Sequence, residues 1–259
     1  MNARRAFYAA VITLGLLVAV LTVSTPIEAG IERYALRPVK WPLPCMPEPV
    51  LVGGLLNVTV KATVNASSWH AVLSSELATL ELTLHSATYD NASGLWQLAW
   101  IVPNVSEARE GVYDLTITFV KESGETVRVK QPHSVWVLRE WPNVLNIALT
   151  SDLHLPGGEE YAREVLMEFN LIDPTLVVLA GDIVDTGTIA RGWMILNELI
   201  ELAEDPVYVG PGNHDYAGDN GENYRKVVGY FNYSIVIGDF LLLVLDTGPE
   251  LSLIHISEP

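Results

Sequence analysis

Three apolar runs rich in β-branched residues, at 144–149, 175–180 and 207–209, each lead into a short polar cluster. The clusters are Asp152-Leu153-His154, Gly181-Asp182-Ile183-Val184-Asp185 and Gly212-Asn213-His214-Asp215. Asp152 and Asp182 are thirty residues apart, and Asp182 and Asn213 thirty-one. The segments between them have helical periodicity: Val165, Leu166 and Phe169 within 159–169, then Ile189, Trp193, Leu196, Leu199 and Ile200 within 188–203. Strand and helix alternating at this period predict crossover connections and a parallel sheet, with sites lying beyond the strand C-termini. The first run reads as a fully buried strand. Two further apolar runs, 234–237 and 240–245, read as strands that end at Asp246-Thr247-Gly248. Asp246 is then either close to the site or a turn residue.

The clusters supply oxygen and nitrogen donors, which suit hard or borderline divalent metals. Positions two apart point the same way on an extended chain, so Asp152 and His154 can reach one ion. Gly181 lets the backbone crowd the site, and the two oxygens of Asp182 could bridge two cations about 3.5–4 Å apart. Asn213 offers a neutral carboxamide oxygen. His214 can stand beside the metals as a proton donor or charge stabiliser, with Asp215 as the partner that fixes its tautomer.

This constellation resembles the calcineurin-like metallophosphoesterases, whose pattern runs DxH, GDxxD, GNH(D/E), then a separate histidine and a GHxH. The first three motifs stand intact and in order. The resemblance implies an α/β metallophosphatase-type sandwich and two divalent metal ions, manganese, iron or zinc. Asp152 and His154 would hold the first ion, Asp182 would bridge, and Asn213 would hold the second. His214 would lie near the leaving group, and Asp185 would stand behind the ligands. The implied activity is hydrolysis of small phosphate mono- or diesters by attack of a metal-bound water. Purple acid phosphatases carry Tyr at the position of Asp185 and lack the histidine of the first motif, so His154 and Asp185 argue against a tyrosinate-bound iron site. The two later histidine motifs are not in the chain, where only His255 follows the third. Residues 251–259, Leu-Ser-Leu-Ile-His-Ile-Ser-Glu-Pro, match codon for codon a transposase-based sequencing adapter. They are therefore expected to be a scar on a C-terminally truncated enzyme that is inactive as it stands.

At the other end, Arg4 and Arg5 precede an uncharged, mostly apolar stretch, 6–24, about 28 Å long as a helix. Residues 1–29 are thus expected to be either a cleaved signal peptide or a membrane anchor, with the rest of the chain outside the cytoplasm. Five asparagines fit the N-x-S/T rule: Asn57, Asn65, Asn91, Asn104 and Asn232. Four of them fall between 57 and 104, which leans toward an exported, glycosylated surface. Cys45 is the single cysteine, so no internal disulfide can form.

A formal charge of -16 disfavours nucleic acid, because no basic stripe exists to neutralise backbone phosphates. Small phosphate esters remain as substrates. Prolines 38, 42, 44, 47 and 49 suggest an extended linker over 30–49. Residues 50–141 read as a small all-β sandwich domain, with strands at 55–64, 78–84, 94–101, 113–120 and 126–130. Part of it resembles immunoglobulin or fibronectin type III-like modules, a likeness that carries no function and names no protein partner. His70, His85 and His133 lack spaced partners and read as ordinary surface or half-buried residues. The phosphoesterase domain would span 142–250. A rival reading is a non-enzymatic surface module in which the sandwich binds a partner and the phosphoesterase half is scaffold. A nuclease would keep the fold and change the substrate.

Overall fold

The computed structural model describes residues 31–32 and 37–248. The N-terminal apolar segment and the 251–259 tail lie outside the described residues. Two β-sheets come first. One has the order β1-β3-β7-β6 and uses β1 (Val39–Trp41), β3 (Leu55–Val60), β6 (Thr83–Asp90) and β7 (Leu95–Ile101). The other has the order β2-β9-β8-β4-β5, from β2 (Glu48–Leu51), β4 (Ser67–Ser74), β5 (Thr79–Glu81), β8 (Gly111–Val120) and β9 (Thr126–Leu138). Alternate residues of both sheets, Leu56, Val58 and Val60 from one and Leu115, Ile117 and Phe119 from the other, bury into one shared core. Face-to-face packing through every second residue makes this part a β-sandwich. Tyr113 is buried, and its hydroxyl both donates to the Arg109 carbonyl and accepts from the Arg109 N–H, fixing the entry to β8.

Two strands are absent from the periodicity. β6 forms an edge with six successive exposed residues, Thr83 to Thr88, so it has no apolar alternation to read. In β4 a register shift between Ser67 and His70, with Ser68 at φ 55°, breaks the two-residue period where the strand begins.

The proline-rich stretch is more than the spacer it suggests. β1 pairs with β3, and β2 runs parallel to β9, so both strands belong to the sandwich. Between them Cys45 and Met46 are fully buried in the core of the α/β part. The Cys45 carbonyl accepts the Val209 N–H at 3.2 Å, and the Pro47 carbonyl accepts the Tyr208 hydroxyl at 3.0 Å. Proline removes a backbone donor, and a segment poor in donors can be buried without leaving them unsatisfied.

The α/β part is a parallel sheet, β10 (Ile147–Thr150), β11 (Leu176–Ala180) and β12 (Val207–Gly210), in that order. α1 (Glu159–Ile172) and α2 (Ala190–Leu202) cover one face, where Leu166, Trp193, Leu196 and Leu199 meet Val177, Leu179, Val207 and Val209. The alternate strand residues Leu176 and Tyr208 point the other way. There they join Ile235 and Ile237 of β13 (Tyr233–Ile237), Phe240 and Leu242 of β14 (Phe240–Val244), and Trp136 and Leu138 at the end of β9. The first strand is not fully buried as its composition suggests. β10 is an edge strand, and Ile147 and Leu149 are 50% and 63% exposed because no described element covers them. Among the described residues no helix is long and apolar enough to cross a membrane.

Candidate metal centre

Each of the three polar clusters leaves the C-terminal end of its strand and turns at once. Asp152, His154 and Asp182 have φ of 58°, 45° and 50°, and Gly181 lies at 91°. Left-handed backbone is costly for side-chain-bearing residues and is held here by a continuing ladder between the two loops. The Asp152 N–H donates to the Gly181 carbonyl at 3.1 Å, His154 N–H to Asp182 O at 3.0 Å, and Leu155 N–H to Ile183 O at 2.9 Å. A Cβ at Gly181 would meet the backbone of Gly212 at 2.9 Å, and one at Gly212 would collide with the Asp182 carboxylate. Glycine at both positions lets the ends of β11 and β12 close on each other.

The result is a convergent donor set. One ligand atom from each of His154, Asp182 and His214 lies within 4.8 Å of the other two, and all three side chains are half-buried. Two imidazole nitrogens and a carboxylate fit a borderline divalent ion. Asp152 stands at the rim, 64% exposed, with Oδ1 3.8 Å from His154 Nε2 and Oδ2 accepting the Ser151 hydroxyl at 2.5 Å. Asp185 Oδ1 is 3.6 Å from His154 Nδ1. Asn213 is exposed and opens the short helix α3 (Asn213–Tyr216).

The tautomer of His214 is set by geometry. Its Nδ1 is 2.7 Å from the Asp185 carbonyl oxygen, which can only accept, so Nδ1 carries the proton and Nε2 is left for the site. That bond, followed by the nearby carboxylates of Asp182, Asp215 and Asp185, holds the imidazole pKa above its ordinary value against partial desolvation. His154 meets His214 edge to face, with ring centroids 4.6 Å apart. The Asp182 carboxylate accepts the His214 backbone N–H at 2.9 Å, tying the second motif to the third.

Asp215 does not orient His214, as its sequence position suggests; the Asp185 carbonyl does. The Asp215 carboxylate is fully buried and turned toward backbone. Oδ1 accepts the N–H groups of Ile183 and Val184 at 3.0 and 3.1 Å, and Oδ2 that of Gly212 at 2.8 Å. The last bond is half of a capping box, reaching from the third helical position back to the residue before the helix. Burial pushes this carboxyl up to about 7, opposed by the three N–H donors and assisted by the charge of Asp182. A backbone carbonyl has no sequence signature, so no pattern could have assigned Asp185 O its task. Asp246 does approach the third motif: it accepts the Tyr216 hydroxyl, two residues beyond His214. His70, His85 and His133 remain on the sandwich, His70 2.7 Å from Glu81 and His133 3.5 Å from Asp114. All five candidate glycosylation asparagines, Asn57, Asn65, Asn91, Asn104 and Asn232, are exposed.

Residues 145–257 match the family model described as calcineurin-like phosphoesterase. This part of the chain therefore carries a calcineurin-like metallophosphoesterase domain, with a candidate metal-binding triad at its strand ends. A "Probable glycerophosphodiester phosphodiesterase GpdQ" from Arcobacter nitrofigilis is 34% identical over 79 residues, 28% of this chain and 27% of that protein. The chain thus spans about a quarter of the length of the curated relative it matches. Among solved structures, purple acid phosphatase PPD1 from yellow lupin seeds is similar with a TM-score of 0.41 and 13% identity, over 74% of this chain and 42% of that one. The N-terminal Ig1-2 module of the Drosophila receptor protein tyrosine phosphatase DLAR is similar with a TM-score of 0.21 and 12% identity, over 42% and 57%.

Proposed function

We propose that the chain is part of an exported two-metal phosphoesterase that hydrolyses small phosphate mono- or diesters. The convergence of His154, Asp182 and His214 at the ends of three parallel strands carries the reading, with His154 and Asp182 as metal ligands and His214 facing the same space as the acid. Asp152 and Asn213 flank these residues and, together with His154 and Asp182, would hold two ions, manganese, iron or zinc, with Asp182 shared between them and His214 left outside the ligand set. Bound divalent ions supply the positive charge that offsets the substrate phosphate and polarises its oxygens. The protein's own contribution is position. Asp182 is fixed by the His214 N–H, and the Asp185 carbonyl turns His214 Nε2 toward the substrate. A raised imidazole pKa suits His214 to give a proton to the leaving oxygen as water attacks phosphorus in line from the opposite side. The name of the similar Arcobacter protein supports diesters among the substrates. Export is supported by the five exposed sequon asparagines and by the basic start and apolar stretch at the N-terminus.

Two variants test the division of roles in the protein encoded by its genomic locus. Asp182→Asn should abolish hydrolysis of bis(p-nitrophenyl) phosphate and lower the manganese or zinc content measured by mass spectrometry. His214→Ala should slow turnover about a hundredfold or more while leaving metal content near normal. If His214→Ala empties the site, the imidazole is a ligand and the proton-donor role fails.

A further inference from the structure

A cavity of about 350 Å³ lies where the sandwich meets the α/β part, away from the candidate metal centre. Its walls come from β1, from the proline-rich segment and from the helix α4 (Glu222–Val227) with the turn that follows it. Chain charge makes the cavity unusual. Acidic residues outnumber basic ones 31 to 15, yet four of those fifteen cations, Arg37, Lys40, Arg225 and Lys226, line this one space. Among the described residues Glu222 is the only carboxylate in the lining, and it is committed to Lys226 at 2.9 Å. Lys226 also holds Glu32 at 3.0 Å. The Lys40 ammonium forms no ion pair among the described residues. Burial and the charge of Lys61 lower its pKa, the mark of a cation short of a counter-charge. Arg225 lies over the Phe231 ring at 4.5 Å and donates to the Asn220 carbonyl at 3.4 Å; its charge acts on Glu222, but it forms no direct ion pair among the described residues.

The floor is a built polar feature. Gln131 is fully buried, donates to the Val39 carbonyl at 3.3 Å and accepts from the Arg37 guanidinium at 3.1 Å, so the amide holds Arg37 at the cavity wall. The rest of the wall is apolar, from Val39, Leu43, Val228 and the Tyr230 ring. An apolar chamber at a junction between structural units, with a few convergent charged groups, has the composition of a small-molecule site.

We propose that this cavity binds a small amphiphilic anion, its oxyanion head between Lys40 and Arg225 and its alkyl or aryl body along Leu43, Val228 and Tyr230. A carboxylate or a phosphorus oxyanion meets the requirement equally, since both offer several acceptors to a guanidinium and an ammonium. A ligand there would touch both structural units at once and so strengthen their attachment. The proposal does not depend on the phosphoesterase reading.

Isothermal titration of the full chain with hexyl phosphonate tests it, with EDTA present to keep divalent ions from the triad. This probe has no ester bond to hydrolyse. It should bind at one site, and Lys40→Gln and Arg225→Gln should each weaken binding about tenfold or more, the loss of one charge-assisted contact. Lys121→Gln, which alters an exposed pair with Glu125, should leave affinity within about twofold. Inorganic phosphate and hexanol, head and body alone, should each bind at least about tenfold more weakly than the phosphonate. Should Arg225→Gln lower the melting temperature through its lost contact with Phe231, Arg225→Lys keeps the charge and should bind more tightly than the Gln variant. Affinity unchanged in Lys40→Gln and Arg225→Gln, inorganic phosphate binding as tightly as hexyl phosphonate, or no heat of binding up to about 10 mM would each overturn the proposal.

Discussion

At the scale of single residues, Asp215 is a carboxylate turned toward backbone and away from the candidate metal site. Its carboxylate accepts three backbone N–H groups from two different loops and so fixes the distance between the second and third motifs. Replacing it with alanine would leave the N–H groups of Ile183, Val184 and Gly212 without that acceptor, at about 1 kcal/mol or more each. Asp215→Ala should therefore destabilise the metal-free protein by about 3 kcal/mol and weaken manganese binding as well. Denaturant titration with and without manganese measures both, and an unchanged midpoint would show that the three bonds contribute little. The convergence of His154, Asp182 and His214 could be anticipated from sequence, because each follows an apolar run and a parallel sheet gathers the C-terminal ends of such strands at one edge. Their hydrogen-bond partners could not. Asp185 acts on His214 through a carbonyl, and the direction of the Asp215 side chain depends on where the Ile183 and Val184 amides happen to sit.

At the scale of elements, period and burial decided what could be read. The helices at 159–172 and 190–202 bury regular apolar stripes, so their spacing disclosed them. β6 buries almost nothing, and the segment around Cys45 is buried through turns with no period at all. The link from α2 to β12 adds a testable pH dependence. Asn170 of α1 clamps it by donating to the Leu202 carbonyl at 2.9 Å and accepting the Glu204 N–H at 3.1 Å. Beside that clamp, burial and then the charges of Asp173 and Glu204 raise the Asp205 carboxyl from 3.8 to about 6, and its Oδ2 is buried without a partner. A raised folded-state pKa means that the folded chain holds this proton more tightly than the unfolded chain does. The associated stability is present below pH 3.8 and is lost as pH rises through about 6. Asp205→Asn should then stabilise the protein at pH 7 by about 1 kcal/mol, discounted for partial exposure, or a few degrees in Tm. At pH 4 the gain should largely vanish. A larger gain at pH 4 than at pH 7 would reverse the assigned sign.

At the scale of the whole molecule, the seam between the sandwich and the α/β part governs how the protein unfolds. Separate domains on a proline-rich tether would melt independently. Here the tether is part of both structures: β1 and β2 are sandwich strands, while Cys45 and Met46 between them sit in the α/β core. The end of β9 adds Trp136 and Leu138 to a cluster with Leu176, Tyr208, Ile235 and Ile237, so neither part can unfold without exposing apolar surface of the other. Sequence could suggest the two parts from the change in periodicity near residue 141. The seam was invisible, because Trp136 and Tyr208 lie 72 positions apart and each looks like an ordinary strand residue. Calorimetry should accordingly give one cooperative transition, with equal calorimetric and van't Hoff enthalpies. Trp136→Ala removes the largest buried side chain at the junction, at a cost of about 3–5 kcal/mol, and should split that transition in two. Two well-separated transitions in the wild-type protein would mean that the buried surface at the seam is too weak to couple the parts.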